Sequence, residues 1–170
     1  MNEQKLFQLN ILDGTWGSLR LRYDRQPAWS ALQQAFPSTV ALTLTEDDFE
    51  SYHWTDQTLT LTPQASQAVI AKFAHSDEER AYPESALDQR AFVVVLSGQP
   101  VYGGIFMHPM SSMGIDFPVI YASRANDRLT FKLRPIQSVF GDYSSVEPAW
   151  NGIKDLKIRD VFAGAGKLAT

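Results

Sequence analysis

Apolar positions along this chain recur with two periods, two for strands and three or four for helices. Residues 91–97, AFVVVLS, are almost wholly apolar and rich in β-branched side chains, which suits a strand packed on both sides. Gly98-Gln99-Pro100 signals a turn, and residues 101–107 resume the strand pattern. The loop from His108 to Asp116 leads into a third strand at 117–121, so the three read as a central meander. Beyond a turn at Ala125-Asn126-Asp127, Leu129, Phe131 and Leu133 alternate with Arg128, Thr130, Lys132 and Arg134, which predicts another strand with one wet face.

The flanks can be read the same way. Residues 6–13 and 18–24 predict an N-terminal hairpin around Gly14-Thr15-Trp16-Gly17, with Leu19, Leu21 and Tyr23 opposite a solvated face of Arg20 and Arg22. Trp29, Leu32 and Phe36 recur at helical spacing between Pro27 and Pro37 and predict a helix there. Val40, Leu42 and Leu44, then Leu59 and Leu61, predict two half-buried strands. Thr62-Pro63 is a helix start, with Thr as N-cap and Pro in the first turn, and Ala65, Val69 and Phe73 mark the buried side. The polar stretch 75–90 reads as a long, mobile connection with a helical turn near 84–87. Gly141 to Glu147 reads as a loop, and Pro148 as the start of a short helix burying Trp150 and Ile153. Asp155 caps a last helix with Ile158, Val161 and Phe162 inward, stopped by Gly164 and Gly166 before a frayed tail.

Together these elements predict one α+β domain spanning residues 1–170. Its sheet is expected to be largely antiparallel, with the central meander at about 91–134, and to be covered by three or four short helices. Phe92, Val94 and Leu96 point one way and Val93 and Val95 the other, so the middle of the sheet is apolar on both faces. Either helices cover both faces or one face meets a partner, and a homodimer or a protein partner is expected on that ground.

Residues 57–109 carry a further pattern. LTLTPQASQAVIAKF and FVVVLSGQPVYGGIFMHPMSS give, in order, a strand ending in Leu-Thr-Pro, a helix, and a strand closing on a Val-Val-Leu-x-Gly turn. Another strand and a proline-bearing loop follow. This order resembles the periplasmic head subdomain of the bacterial translocon component SecD. The resemblance implies an α+β domain of extracytoplasmic type. It brings no catalytic residue and no translocation activity, because a fold does not carry a function with it.

Composition narrows the function. A hydrophobic fraction of 44%, with ten Phe and four Trp, belongs to a chain with a packed core. Lys and Arg number 15 against 19 Asp and Glu, a net charge of −4, so nucleic acid is not an expected partner. The absence of cysteine excludes disulfides, a thiol nucleophile and thiolate metal sites. No apolar run reaches the about 20 residues of a membrane helix, so no integral membrane segment is expected. MNEQKLFQLNILDG lacks the basic-then-apolar order of a signal peptide. No motif implies a cofactor: Ala163-Gly164-Ala165-Gly166-Lys167 lacks the spacing of a phosphate loop, and Gly103-Gly104 reads as a bulge or a close backbone approach.

Three groups of residues could carry chemistry. Asp47, Asp48, Glu50 and His53 have the donor types of a divalent-cation site, but at no spacing with defined ligand geometry. Thr45 followed by acidic residues reads better as an N-cap, and no metal site is assigned. His108, Ser111, Ser112 and Asp116 have the types needed for hydrolysis, which makes a small hydrolase the alternative reading. No Gly-x-Ser-x-Gly elbow supports it, and loop Ser and His commonly satisfy backbone groups. Tyr52, Trp54, Tyr102 and Tyr143 lie near turns or on faces expected to be open, and form a candidate recognition patch. The leading expectation is a non-enzymatic binding or interaction module.

Overall fold

A computed structural model describes residues 5–23, 25–111, 113–137 and 152–169. Its strands are β1 (Phe7–Thr15), β2 (Val40–Thr45), β3 (Phe49–His53), β4 (Thr58–Leu61), β5 (Arg90–Leu96), β6 (Gln99–Phe106), β7 (Val119–Ala125), β8 (Arg128–Arg134) and β9 (Leu168–Ala169). The helices are α1 (Arg25–Ala35), α2 (Pro63–Phe73), α3 (Asp77–Ala81), α4 (Pro83–Ala86) and α5 (Leu156–Gly164). All nine strands join one mixed sheet in the order β2-β1-β5-β6-β7-β8-β4-β3-β9. The architecture is α+β and rich in sheet.

Six of the eight ladders among the described residues are antiparallel; β6–β7 and β3–β9 are parallel. This corrects the meander. The β5–β6 hairpin forms as expected, but the chain then loops back through residues 107–118, so that Ile105 pairs with Val119 in parallel. A connection of this length can return the chain to the same end of the sheet, which a tight turn cannot. Gly104 makes the pairing possible: a Cβ there would lie 1.7 Å from the Pro118 carbonyl oxygen. The close backbone approach read from Gly103-Gly104 is therefore at this point.

The N-terminal hairpin is also corrected. β1 lies between β2 and β5, so both of its hydrogen-bonding edges are taken. Residues 16–23 fold instead as turns, with Leu21 N–H donating to the Trp16 carbonyl at 3.0 Å. The alternating Leu19 and Leu21 pack into a core rather than along a strand. β3 lies in the acidic, aromatic segment where only a loop or helix start was expected. β9 orders the tail, with Tyr52 N–H donating to the Lys167 carbonyl and Trp54 N–H to that of Ala169. The polar stretch 75–90 holds two short helices, α3 and α4. The expected loop at Gly141 to Glu147, the helix start at Pro148 and the burial of Trp150 lie outside the described residues.

Local chemistry explains the helix starts. Thr62 Oγ1 accepts from Ala65 N–H at 3.1 Å ahead of α2, and Asp155 Oδ1 accepts from Lys157 N–H at 2.9 Å ahead of α5. These helices cover one face of the sheet: Val69, Phe73, Ile158 and Phe162 join Phe92, Val94 and Leu96 in one core. On the other face Ala28 and Leu32 of α1, with Leu21 and Phe117, pack on Val93, Val95, Ile105 and Val119. The chain thus covers both apolar faces itself, and an open face no longer argues for a partner. Curvature makes this economical. β1 and β3 stand six positions apart in the sheet, about 29 Å if it were flat. Yet the Phe7 and Phe49 ring centroids are 5.9 Å apart. The sheet curls enough for side chains of strands far apart in it to share one core. Among the described residues no helix is long and apolar enough to cross a membrane.

Candidate functional site

Two of the four residues expected to form an aromatic patch, Tyr52 and Tyr102, are buried. Tyr52 is 1% exposed and Tyr102 is 7% exposed, because each points inward from an interior strand of the curled sheet. The Tyr52 hydroxyl donates to Gln57 Oε1, and burial raises the pKa of both phenols. Trp54 is half-buried against the Tyr52 ring, at 5.3 Å between centroids. Tyr143 lies outside the described residues.

The acidic segment divides its carboxylates among separate partners. Asp48 Oδ2 accepts from Thr45 N–H at 2.8 Å, completing the expected cap. Asp47 pairs with Lys5 and Glu50 with Arg128, and the hydrogen bonds from those cations hold both carboxyls below the usual carboxylate range. His53 is exposed at the end of β3. No group of three or more potential metal ligands forms among the described residues.

In the hydrolase alternative, each side chain is engaged within its own surroundings. His108 Nδ1 accepts from Met110 N–H at 3.1 Å, and Ser111 Oγ accepts from Met113 N–H at 3.3 Å. Asp116 pairs with Arg25 at 3.3 Å, and among the described residues no side-chain hydrogen bond links His108, Ser111 and Asp116 to one another; only the Ser111 backbone N–H donates to the His108 carbonyl, at 2.9 Å. Ser112 lies outside the described residues. The loop is tied down by buried Gln137, whose Nε2 donates to the Ser111 and Met113 carbonyls while its Oε1 accepts from the Tyr121 hydroxyl.

The structure brings a different set together. Asp13 of β1, Val40 and Ala41 of β2, Lys72 and Phe73 of α2, His75, and Arg90 of β5 line a cleft of about 240 Å³. It opens where β1 falls out of register with both neighbours, after Ile11. Such irregularities re-aim side chains and part the strands. The Arg90 guanidinium sits 4.5 Å above the Phe73 ring, a cation–π contact. Its side chain is 18% exposed, and Asp13 is at the outer limit of an ion pair, 3.8 Å from Nη1. The Arg90 Nε is enclosed and has no acceptor. Burial lowers the Arg90 pKa, against the pull of Asp13 and Glu79, but a guanidinium stays protonated in a protein. Lys72 and Arg90 against Asp13 leave one net positive charge among these side chains, in a chain whose formal net charge is −4.

The arrangement can hold an anion. Sequence reasoning missed it because four elements and a connecting residue converge only in the folded chain. The one local signal is a charged residue, Arg90, opening a strand that is otherwise apolar. A second cavity, of about 150 Å³, is lined by Arg25, Trp29, Tyr102 and Phe117, but the guanidinium there already pairs with Asp116. No protein-family model matches the chain, and no curated protein or solved structure is significantly similar to it.

Proposed function

We propose that this chain is a non-enzymatic binding module that recognises one anionic group in the cleft of Asp13, Lys72, His75 and Arg90. The observation that carries this reading is Arg90: a largely buried guanidinium, packed on Phe73, that donates no hydrogen bond to the described residues and has only Asp13, at 3.8 Å, as an ion-pair partner. Removing a cation from water costs free energy unless a partner compensates. A bound anion would supply that partner. The hydrolase alternative is set aside because His108 and Ser111 use their side-chain acceptors on loop backbone, a structural role. The likeness of residues 57–109 to the SecD head, and the extracytoplasmic setting it implies, belong to this proposal as a fold likeness only.

Acetate titration followed by amide chemical shifts tests the reading. Saturable shifts are expected at Ala41, at 72–75 and at Arg90, and they should vanish in Arg90→Gln with circular dichroism unchanged. Shifts that grow linearly with salt and are the same in both proteins would overturn it.

A further inference from the structure

We infer that the anionic group is the C-terminal carboxylate of an extended peptide that pairs with the outer edge of β2 and ends in the cleft; this rests on the anion-binding reading above. β2 is the first strand of the sheet and, among the described residues, pairs only with β1. Thr45 N–H turns away from β1 to reach Asp48, so strand alternation directs the N–H and C=O groups of Thr43 outward as well, up to the register shift at Ala41. No strand among the described residues takes them up. The edge VALTLT has neither a charged residue nor a proline, the usual guards of an edge that must stay unpaired.

The edge and the cleft share residues. Val40 and Ala41 begin β2 and also line the cleft. A strand added antiparallel to β2 finishes beside the start of β2, which brings its C-terminus to the cleft. Main-chain pairing then supplies affinity, and capture of the terminal carboxylate fixes register and polarity. The charge favours a carboxylate over a phosphate. Lys72 and Arg90 against Asp13 leave one positive charge, and Glu79 adds a further negative influence on Arg90. A monoanion balances that charge, whereas a dianion would leave an excess of negative charge near Asp13. Val40 and Ala41, which line the cleft, offer a small apolar contact for the final side chain.

The test uses an N-terminally labelled hexapeptide pool in three forms: free carboxylate, C-terminal amide, and free carboxylate with alternate backbone nitrogens methylated. Fluorescence anisotropy should give binding of the free acid at least about tenfold tighter than the amide, the scale of one charge-assisted contact. The methylated form should fail to bind, because it cannot pair with the edge, and Arg90→Gln should bind free acid and amide alike. Equal binding of acid and amide by the wild type would overturn the inference, as would displacement by inorganic phosphate in preference to acetate. If acetate shifts the cleft amides but no peptide form binds, the peptide inference fails while the cleft remains an anion site. If acetate also fails, both readings fall.

Discussion

Replacing Gly104 by alanine tests the least expected feature of the fold, the parallel β6–β7 pairing. The new Cβ would lie 1.7 Å from the Pro118 carbonyl oxygen and 2.7 Å from its carbon, both backbone atoms that cannot rotate aside. To restore ordinary contact, β7 must retreat from β6 by well over an ångström. Two hydrogen bonds cross that gap, Ile105 N–H to Pro118 at 3.3 Å and Met107 N–H to Ile120 at 2.9 Å. Their donors belong to residues 0% and 2% exposed, so broken bonds would leave buried groups unsatisfied, at about 1–3 kcal/mol each. Val119 and Ile120, both 0% exposed, would lose packing as well. The expected cost is about 3–5 kcal/mol, and for a chain of this size about 2–4 °C of melting temperature accompanies each kcal/mol. Urea and thermal unfolding of Gly104→Ala should therefore show a loss of about 6–20 °C in melting temperature. Gly17→Ala, with nothing within 4 Å of its Cβ, serves as the control and should stay near wild type. A loss of less than about 1 kcal/mol in Gly104→Ala would refute the close approach, and with it the parallel pairing.

Val94→Asp places an unpaired carboxylate at a position 0% exposed in the centre of the sheet and should cost more than about 4 kcal/mol; an unchanged melting temperature would show that residue 94 does not face the core. Gln137→Ala removes the acceptor of the Tyr121 hydroxyl and both donors to the 111–113 backbone, for a loss of about 2 kcal/mol and faster protease cleavage within 108–116; equal cleavage rates would contradict its anchoring role. Arg128 lowers the Glu50 pKa below its ordinary 4.5, so this pair stabilises the fold above that value and the benefit fades as pH falls through the folded-state value. Glu50→Gln should accordingly be less stable than wild type at neutral pH and converge with it in acid, and a gap that stays constant with pH would count against the pair.

Elements with a local cause were legible in the sequence. Thr62-Pro63 and Asp155 announce α2 and α5 because capping is decided within one turn. β2, β4 and β8 announce themselves by alternation, because each has one face in the core. Pairing was not legible. Period-two alternation says that a strand exists and says nothing of which neighbour it takes, so the parallel return of β7 onto β6 had no signal beyond the paired glycines. Leu19 and Leu21 alternate like a strand, yet they pack as turn residues because β1 had already filled both of its edges. Tyr52 and Tyr102 looked exposed because they stand near turns or on faces expected to be open, while the curl of the sheet turns them inward. The cleft was the least legible of all: its lining residues come from separate stretches of chain, and only Arg90, charged at the head of an apolar strand, is unusual in its own context.

The apolar character of both faces of β5 and β6 asked what covers them, and the curl supplies the answer. Phe162 of α5 lies 5.0 Å from the ring of Phe7, 6.0 Å from that of Phe49 and 5.0 Å from that of Tyr52. One short helix therefore closes a space that a flat sheet would need several helices to cover. α1 and the turns at 16–21 cover the opposite face. The apolar surface is thus used within the chain, and what β2 leaves available is main-chain hydrogen bonding along its outer edge. The far edge, β9, is only two residues long and offers little of the same kind. A partner that pairs with β2 needs no large greasy patch, because backbone bonds provide the affinity and the charge at Arg90 selects which end of the partner enters the cleft.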